Sequence, residues 1–236
     1  MPGYCGRFSD MANILDRKAR PEAPRYGEEN FDIMQCRMPH GDLGPSVIDH
    51  MNEGHRPGIE WAIAQIPDID PEFILDIGYG GGIVSRLILR RFTKARGYGI
   101  DISEVSYQYA SEYDRYFIDE GRLRLIIGDV HDMPYEDGKF GLVISNASYF
   151  FWEDIGKAFK EIGRVMAEGA TICIPDGKPI TDDNYEEAKA NAEPPMNVYK
   201  DSEMIAFMAA AGIDAKRVVS EDGEMGAFIG VKRRRA

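Results

Sequence analysis

The sequence predicts an α/β protein, an αβα sandwich with a mostly parallel seven-stranded sheet and a helical N-terminal cap. Short apolar segments alternate with helical segments from residue 73 onward, which is typical of a doubly wound sheet. A glycine-rich turn, Gly78-Tyr79-Gly80-Gly81-Gly82, follows the first apolar segment. Such a turn is common where a parallel strand leads into a ligand-binding helix. The two observations together predict a Rossmann-like arrangement.

Each predicted strand is a short apolar run that ends in glycine or a polar residue. The predicted strands are Phe73–Ile77, Gly97–Asp101, Leu123–Ile127, Phe140–Ile144, Ala170–Ile174 and two more near Ala215–Ser220 and Ala227–Lys232. The segments between them have helical spacing. The predicted helices are Ile83–Phe92, a helix capped by Ser103 that runs to about Phe117, Asp154–Ala167 and Ser202–Ala211.

Proline spacing and composition divide the chain into a cap and a main domain. Residues 1–70 are rich in proline and are predicted to form the helical cap. Residues 71–236 are predicted to form the main domain. Within it, residues 177–200 follow the fifth strand and are rich in Asp, Glu, Asn, Ala and Pro, so they are predicted to be an inserted cap segment.

The composition is that of an ordinary globular protein, with 44% hydrophobic and 29% charged residues in a chain of 236. A net charge of −12 argues against a nucleic-acid partner, although Lys232-Arg233-Arg234-Arg235 forms a short basic tail. The tail is interpreted as the solvated end of the last strand, with a nucleic-acid or membrane tether as the alternative. No apolar run is long enough to span a bilayer and no secretion signal is recognisable, so we expect a cytoplasmic protein without a membrane partner.

Three cysteines, Cys5, Cys36 and Cys173, are far apart and match neither a disulfide framework nor a zinc motif. They are expected to be reduced thiols. No convergent set of acids indicates a metal site. The sequence leaves open whether the chain is a monomer or a homodimer.

The spacing of the glycine turn differs from that of dinucleotide-binding enzymes, which use G-x-G-x-x-G. Here Gly78, Gly80 and Gly82 give G-x-G-x-G. Asp76 lies two residues before the first glycine. A carboxylate at that position would repel a pyrophosphate and suit a cationic amino group. The predicted ligand is therefore a nucleoside joined to an amino acid.

Two further acids follow the next two strands. Asp101 ends the second strand, 23 residues after Gly78, where an acid can accept hydrogen bonds from ribose hydroxyls. Gly128-Asp129-Val130 follows the third strand. Asp129 can accept from an adenine amino group there. The order and spacing of these acids on successive strands favour a nucleoside site more than any one of them does alone.

The sequence resembles the class I S-adenosylmethionine-dependent methyltransferases, and within them the small-molecule branch that includes the ubiquinone and menaquinone biosynthesis enzymes. The resemblance covers about residues 72–176. It rests on the motifs Ile74–Gly82, Gly99–Ser103, Gly128–Asp137, Phe140–Asn146 and Glu161–Gly169. The family often has Cys where Tyr79 stands and Lys-Pro-Gly-Gly where Ala167–Ala170 stands.

The resemblance implies an enzyme that binds S-adenosyl-L-methionine and methylates a small-molecule acceptor. By this resemblance the glycine turn and Asp76 hold the methionine end of the cofactor, and Asn146 lies beside it. Asp101 and Ile102 hold the ribose and adenine, and Asp129 and Val130 hold the adenine. The implied cofactor-binding set is Asp76, Gly78, Tyr79, Gly80, Gly82, Asp101, Ile102, Gly128, Asp129, Val130 and Asn146.

Acceptor contacts are expected after the fourth strand and in the cap. Ser148-Tyr149-Phe150-Phe151-Trp152 is predicted either to line the acceptor pocket or to pack the following helix. His55 precedes a predicted helix that contains Trp61, and it is interpreted as a base or ligand contact, or as a structural residue. His55 and Tyr149 are the candidate catalytic residues.

Two other functions stay open at the level of sequence. One is a non-catalytic module that binds S-adenosylmethionine, because a fold does not fix a function. The other is a nicotinamide-dependent oxidoreductase, against which the incomplete dinucleotide motif and Asp76 argue. The Asn/Asp-Pro-Pro-Tyr/Phe signature of nucleic-acid amino methylation does not follow the fourth strand, where Ser145–Ser148 stands instead.

Overall fold

A computed structural model describes residues 14–25 and 27–234. Within them, seven strands form one sheet with the order β3-β2-β1-β4-β5-β7-β6. The strands are β1 Phe73–Ile77, β2 Arg96–Asp101, β3 Leu123–Ile127, β4 Phe140–Ile144, β5 Met166–Asp176, β6 Ile213–Val219 and β7 Gly226–Lys232. Only β7 runs antiparallel to its neighbours. The predicted mostly parallel seven-stranded sheet is confirmed.

The strand order reverses at β1, and this reversal positions the site. β1 pairs with β2 on one side and with β4 on the other, so that Asp76 lies opposite both Gly99 and Ile144. The chain leaves the carboxyl ends of β1 and β4 in opposite directions. Ligands bind in the crevice that such a reversal opens at the carboxyl ends of the strands.

Helices cover both faces of the sheet. They are α1 Met34–Arg37, α2 Gly44–Gln65, α3 Ile83–Arg91, α4 Glu104–Tyr113, α5 Arg115–Asp119, α6 Ile155–Val165, α7 Tyr185–Asn191 and α8 Asp201–Ala210. Short 3₁₀ turns lie at Arg17–Ala19 and Tyr149–Phe151. Ser103 caps α4 as predicted, because its side chain accepts from the backbone N–H of Ser106.

Several predicted boundaries are wrong. The helix that contains Trp61 begins at Gly44, so His55 lies within it rather than before it. The helix predicted over Asp154–Ala167 ends at Val165. The helix predicted from Ser103 to Phe117 breaks at Asp114, whose buried carboxylate accepts from Arg86 Nε at 2.8 Å and whose backbone leaves the helical region. The fifth strand begins at Met166 rather than Ala170, because Met166 already pairs with Phe140 before the register shifts.

Helix α2 connects the predicted cap to the sheet. Its second half buries Ile59, Ala62 and Ile63 in the core that also contains Ile74 and Leu142. Its first half extends towards the glycine turn. Residues 59–66 thus pack as part of the sandwich, and the predicted cap boundary at residue 70 stays a prediction.

The segment between β5 and α8 is held at both of its ends. Arg217 pairs with Asp176 at 2.9 Å and lies 3.4 Å from Asp201. The backbone N–H of Asn197 donates to Phe150 O at 2.7 Å, and its side chain donates to Trp152 O at 3.3 Å. These bonds place residues 177–200 against the segment that follows β4.

Two basic residues at the carboxyl end of β7 contact neighbouring elements of the protein. Lys232 ends β7 and donates to Ala211 O at 2.6 Å, and Arg233 pairs with Asp214.

Cys36 and Cys173 are free thiols, whereas Cys5 lies outside the described residues. None of the described helices is long and apolar enough to cross a bilayer.

Candidate active site

A cavity opens at the carboxyl ends of β1, β2, β3 and β4. Nine of the eleven predicted cofactor-binding residues line it: Gly78, Tyr79, Gly80, Asp101, Ile102, Gly128, Asp129, Val130 and Asn146. The other two, Asp76 and Gly82, lie behind the glycine turn and do not line it. His55 also lines the cavity. The structure therefore brings together residues that the sequence spreads over 92 positions, from 55 to 146.

The glycine turn is shaped by its surroundings. Gly78 has φ +69°, and a Cβ there would lie 2.8 Å from the Cβ of Ser148. Gly80 has φ +49°, and nothing lies within 4 Å of a Cβ built on it. Positive φ is strained for residues with a Cβ. Packing against the segment after β4 thus requires Gly78, while Gly80 leaves open space for a ligand.

Helix α2 holds the glycine turn from above. The side chain of Asn52 donates to Gly81 O at 3.4 Å. A Cβ on Gly81 would lie 2.4 Å from Ile48 Cγ2 and 2.5 Å from Asn52 Nδ2. Asn52 was not predicted as a site residue, although it lies one helical turn before His55 in the same segment.

Replacing Gly81 by alanine is expected to destabilise the protein by about 1–3 kcal/mol, because the added methyl group overlaps Ile48 and Asn52. The free energy of unfolding in urea measures this effect. Gly177→Ala is the matched control, because nothing lies within 4 Å of a Cβ at Gly177. Equal stability of the two variants would show that α2 does not clamp the turn.

Asp101 supports the turn and faces the cavity. Its Oδ2 accepts from the backbone N–H of Gly80 at 2.8 Å, and its Oδ1 accepts from that of Ser103 at 2.9 Å. Burial raises the pKa of Asp101 to about 6, although these backbone donors act to lower it. The group is therefore mostly ionised at pH 7, and each oxygen keeps a lone pair for a ligand hydroxyl.

Asp76 lies deeper than the sequence suggested. It is 2% exposed, and its Oδ2 accepts from Ser85 Oγ at 2.7 Å while its Oδ1 has no partner among the described residues. Burial raises the pKa of Asp76 to about 7. The structure thus places Asp76 behind the turn, where it contacts the start of α3 rather than the cavity.

The raised pKa of Asp76 predicts a pH dependence of stability. The folded protein holds the Asp76 proton more tightly than the unfolded chain, so the contribution to stability is complete below the unfolded pKa of about 4 and is lost as pH rises through about 7. Asp76→Asn is therefore expected to gain stability relative to the unchanged protein as pH rises from about 5 to about 8. Urea unfolding at several pH values measures the difference. A difference that stays constant with pH would contradict this assignment.

Asp129 is held by a neighbouring histidine. Its Oδ1 accepts from the backbone N–H of His131 at 2.9 Å and from His131 Nδ1 at 2.5 Å. His131 Nε2 in turn accepts from the backbone N–H of Asp154 at 3.3 Å. Burial acts to raise the pKa of Asp129, but the bonds from His131 outweigh it and lower the pKa. Asp129 is thus an oriented carboxylate with one oxygen left for a ligand.

The segment after β4 closes the cavity from the other side. Ser145 Oγ donates to Ile77 O at 2.9 Å, which ties this segment to the end of β1. Ala147 has φ +51°, an unusual conformation for a residue with a side chain. The turn directs Asn146 into the cavity, where its Nδ2 donates to His55 Nδ1 at 3.4 Å.

His55 reaches the cavity from α2. It is accessible to solvent, yet the surrounding protein lowers the pKa of His55 through burial. The bond from Asn146 leaves a lone pair on Nδ1 and a proton on Nε2, as assigned from the hydrogen-bond partner. A neutral imidazole in this position can accept a proton near pH 7.

The prediction of a catalytic Tyr149 is not supported by its position. Tyr149 is 5% exposed, lies in the core and donates its hydroxyl to Asp176 at 3.2 Å. It does not line the cavity. The 3₁₀ turn over Tyr149–Phe151 sends Tyr149 inward, whereas Phe151 and Trp152 line the cavity.

A second cavity, of about 470 Å³, adjoins the first. The two share Cys36, Met51, His55, Ala147 and Phe151. The second is lined further by residues from three separate parts of the chain: Pro24, Arg25, Phe31, Ile33, Val47, His50, Gly54, Phe150 and Met196. Cys36, Phe31 and Met196 were not predicted, because no local motif marks residues that meet only after folding.

The lining of the first cavity suits the chemistry of a nucleoside joined to an amino acid. Space at Gly80 permits close approach of the ligand to the backbone, and Asp101 and Asp129 offer carboxylate oxygens at two separate strand ends. Of the predicted contacts, that of Asp76 with the amino group has no geometric support, because Asp76 does not reach the cavity.

Comparison with known proteins identifies the central part of the chain. Residues 75–174 match the model of a methyltransferase domain. The chain is 34% identical over 105 residues to malonyl-[acyl-carrier protein] O-methyltransferase of Halorhodospira halophila, covering 44% of this chain and 35% of that protein. It is 27% identical over 155 residues to the uncharacterized methyltransferase YdaC of Bacillus subtilis, covering 66% and 78%. The chain thus spans about a third of the first relative and about three quarters of the second.

The fold has a close counterpart among solved structures. A SAM-dependent methyltransferase from Aquifex aeolicus superposes with a TM-score of 0.64 at 21% identity, covering 79% of this chain and 97% of that chain. At this identity the likeness concerns the fold.

Proposed function

Because residues 75–174 are a class I S-adenosylmethionine-dependent methyltransferase domain, we propose that the protein transfers the methyl group of this cofactor to a small-molecule acceptor. One observation carries the proposal: the glycine-turn cavity adjoins a second, apolar cavity across a shared wall that contains His55. The cofactor occupies the first cavity and the acceptor occupies the second. The transferred carbon passes between them beside His55, Asn146 and Phe151.

When bound, the cofactor supplies an electrophilic methyl group on a sulfonium. The residues of this chain align the reacting atoms and exclude water. Asp101 and Asp129 fix the nucleoside, and Phe151 and Ala147 form the wall that both ligands contact. Alignment is the main contribution that such a site makes to the rate of a direct displacement.

His55 acts as the general base. Nδ1 is its unprotonated nitrogen and accepts a long bond, 3.4 Å, from Asn146 before the acceptor binds; the acceptor hydroxyl or amine displaces that bond and transfers its proton to Nδ1 as its oxygen or nitrogen takes the methyl group. Its lowered pKa keeps it neutral, and therefore basic, at pH 7. Asn146 is the residue that orients the ring.

The first relative is named for methylation of an oxygen atom of malonyl-[acyl-carrier protein]. This supports an oxygen nucleophile for the present chain as well. Within the family we place the chain in the small-molecule branch that it resembles in sequence, with the ubiquinone and menaquinone biosynthesis methyltransferases. An acidic chain with reduced cysteines suits work on metabolites in the cytoplasm.

The test is transfer of label from the methyl group of S-adenosylmethionine. The purified protein is incubated with labelled cofactor and a metabolite extract, and products are separated by liquid chromatography. We expect labelled product together with stoichiometric S-adenosylhomocysteine, and less of both with Asp101→Ala at a cofactor concentration below saturation. Tight binding of S-adenosylhomocysteine without transfer to any component would favour a non-catalytic binding module instead.

A further inference from the structure

We propose that the acceptor is a mainly apolar molecule with an anionic group, such as a carboxylate, at the end away from the transferred methyl group. The inference rests on the proposed function, since it concerns the occupant of the second cavity. Three observations carry it: the apolar walls of that cavity, the charges along them, and the position of Arg25.

The walls of the second cavity are apolar on two sides. Phe31 and Ile33 come from the segment before α1, and Phe150 and Met196 come from the segments after β4 and β5. A cavity of about 470 Å³ lies within the range of sites for compact organic ligands. Such walls favour an acceptor that exposes a ring or a hydrocarbon chain, because burial of apolar surface drives its binding.

The ionisable side chains that line this cavity are basic or neutral, although the whole protein is acidic. The chain carries a net charge of −12, yet no carboxylate lines the second cavity among the described residues. Its ionisable lining residues are Arg25, His50, His55 and Cys36. Burial, with smaller contributions from Asp32 and Glu193, raises the pKa of Cys36 to about 11, so this thiol is neutral. Neither Asp32 nor Glu193 lines the cavity.

Arg25 lines the second cavity but not the first, whereas His55 lines both. Arg25 is exposed, and its backbone N–H and carbonyl bond to Glu28, whereas its guanidinium has no hydrogen-bond or ion-pair partner among the described residues. His50 lines the same cavity, and its Nδ1 is buried and has no hydrogen-bond partner among the described residues. A guanidinium group binds carboxylates through paired hydrogen bonds. The end of the cavity away from the cofactor is therefore the place for an anion.

Two fluorescent probes test this assignment on the full chain. 1-Anilinonaphthalene-8-sulfonate is apolar and anionic, and N-phenyl-1-naphthylamine is its neutral counterpart. In Arg25→Gln the dissociation constant of the sulfonate is expected to rise about tenfold, as for loss of one charged hydrogen bond. That of the neutral probe is expected to change less than about twofold. Arg96→Gln, exposed at the amino end of β2, controls for loss of one positive charge.

A second pair of variants locates the probes. Gly54 lines the second cavity and Gly58 does not, and at both positions nothing lies within 4 Å of a Cβ. We expect Gly54→Phe to abolish binding of both probes and Gly58→Phe to leave it unchanged. Equal weakening of the two probes by Arg25→Gln, or unaltered binding in Gly54→Phe, would overturn the inference. The label-transfer assay separates this failure from failure of the proposed function, because it reports methyl transfer and not binding of a probe in the second cavity.

Discussion

Asp101→Ala is expected to raise the dissociation constant of S-adenosylhomocysteine by about tenfold to a hundredfold, equivalent to ~1–3 kcal/mol. The carboxylate contributes in two ways. It offers its oxygens to the ribose hydroxyls, and it holds the backbone N–H groups of Gly80 and Ser103 at 2.8 and 2.9 Å. Removal of the carboxylate therefore loses a ligand contact and releases the turn that the ligand contacts.

Isothermal calorimetry measures this effect, and two further variants interpret it. Asp101→Asn keeps one acceptor oxygen but replaces the other by a donor, so we expect an intermediate loss of affinity. Asp68→Ala removes an exposed carboxylate and should leave the affinity unchanged. If the affinity of Asp101→Ala matched that of Asp68→Ala, Asp101 would have no part in cofactor binding.

His55→Ala is expected to lower kcat by about 10²–10⁴-fold, the usual contribution of a general base. Its effect on the affinity for S-adenosylhomocysteine should be small, because nucleoside contacts come from Asp101 and Asp129. The pH–rate profile gives a second readout. In the unchanged protein kcat should rise with pH as His55 loses its proton, at a pH below the usual range of histidine because burial lowers its pKa.

His40→Ala is the matched control, because His40 is exposed and lines neither cavity. It should leave kcat and its pH dependence unchanged. A His55→Ala variant with the kcat and pH profile of the unchanged protein would show that the acceptor reaches the site already deprotonated, and that His55 only forms part of the wall.

Most of the residues that the sequence analysis assigned to the cofactor line one cavity, for a physical reason. Gly78, Gly80 and Asp129 follow parallel strands and Asp101 is the last residue of one, and parallel strands end at the same edge of the sheet. For residues at the ends of these strands, position in the sequence therefore predicts position in the folded protein. Asp76 is the exception, because it is still within β1 and its side chain points behind the turn towards Ser85.

The acceptor side could not be predicted in the same way. Arg25, Phe31, His50 and Met196 meet only because α2 extends over the sheet and residues 177–200 fold back against the turn at Tyr149–Phe151. The spacing of these residues in the sequence does not predict that they meet in one cavity. The aromatic run after β4 was predicted either to line the acceptor pocket or to pack the following helix, and the 3₁₀ turn divides its side chains between the core and the two cavities.

The difference between local spacing and contacts that form only on folding also explains why the helix that begins after Ser103 was predicted too long. The break at Asp114 depends on Arg86, which lies 28 positions earlier in the chain, and Gly82 leaves room for the Asp114 carboxylate. Hydrophobic spacing alone predicts a continuous helix there. A tertiary ion pair therefore overrides a local pattern at this point.

The central claim is that the glycine-turn cavity binds S-adenosylmethionine. Calorimetric titration of the full chain with S-adenosylhomocysteine, and separately with NADH, tests it most directly. The account predicts one-to-one binding of S-adenosylhomocysteine, weakened in Asp101→Ala, and no heat of binding with NADH. Tight binding of NADH with none of S-adenosylhomocysteine would contradict the account and make the chain a nicotinamide-binding protein.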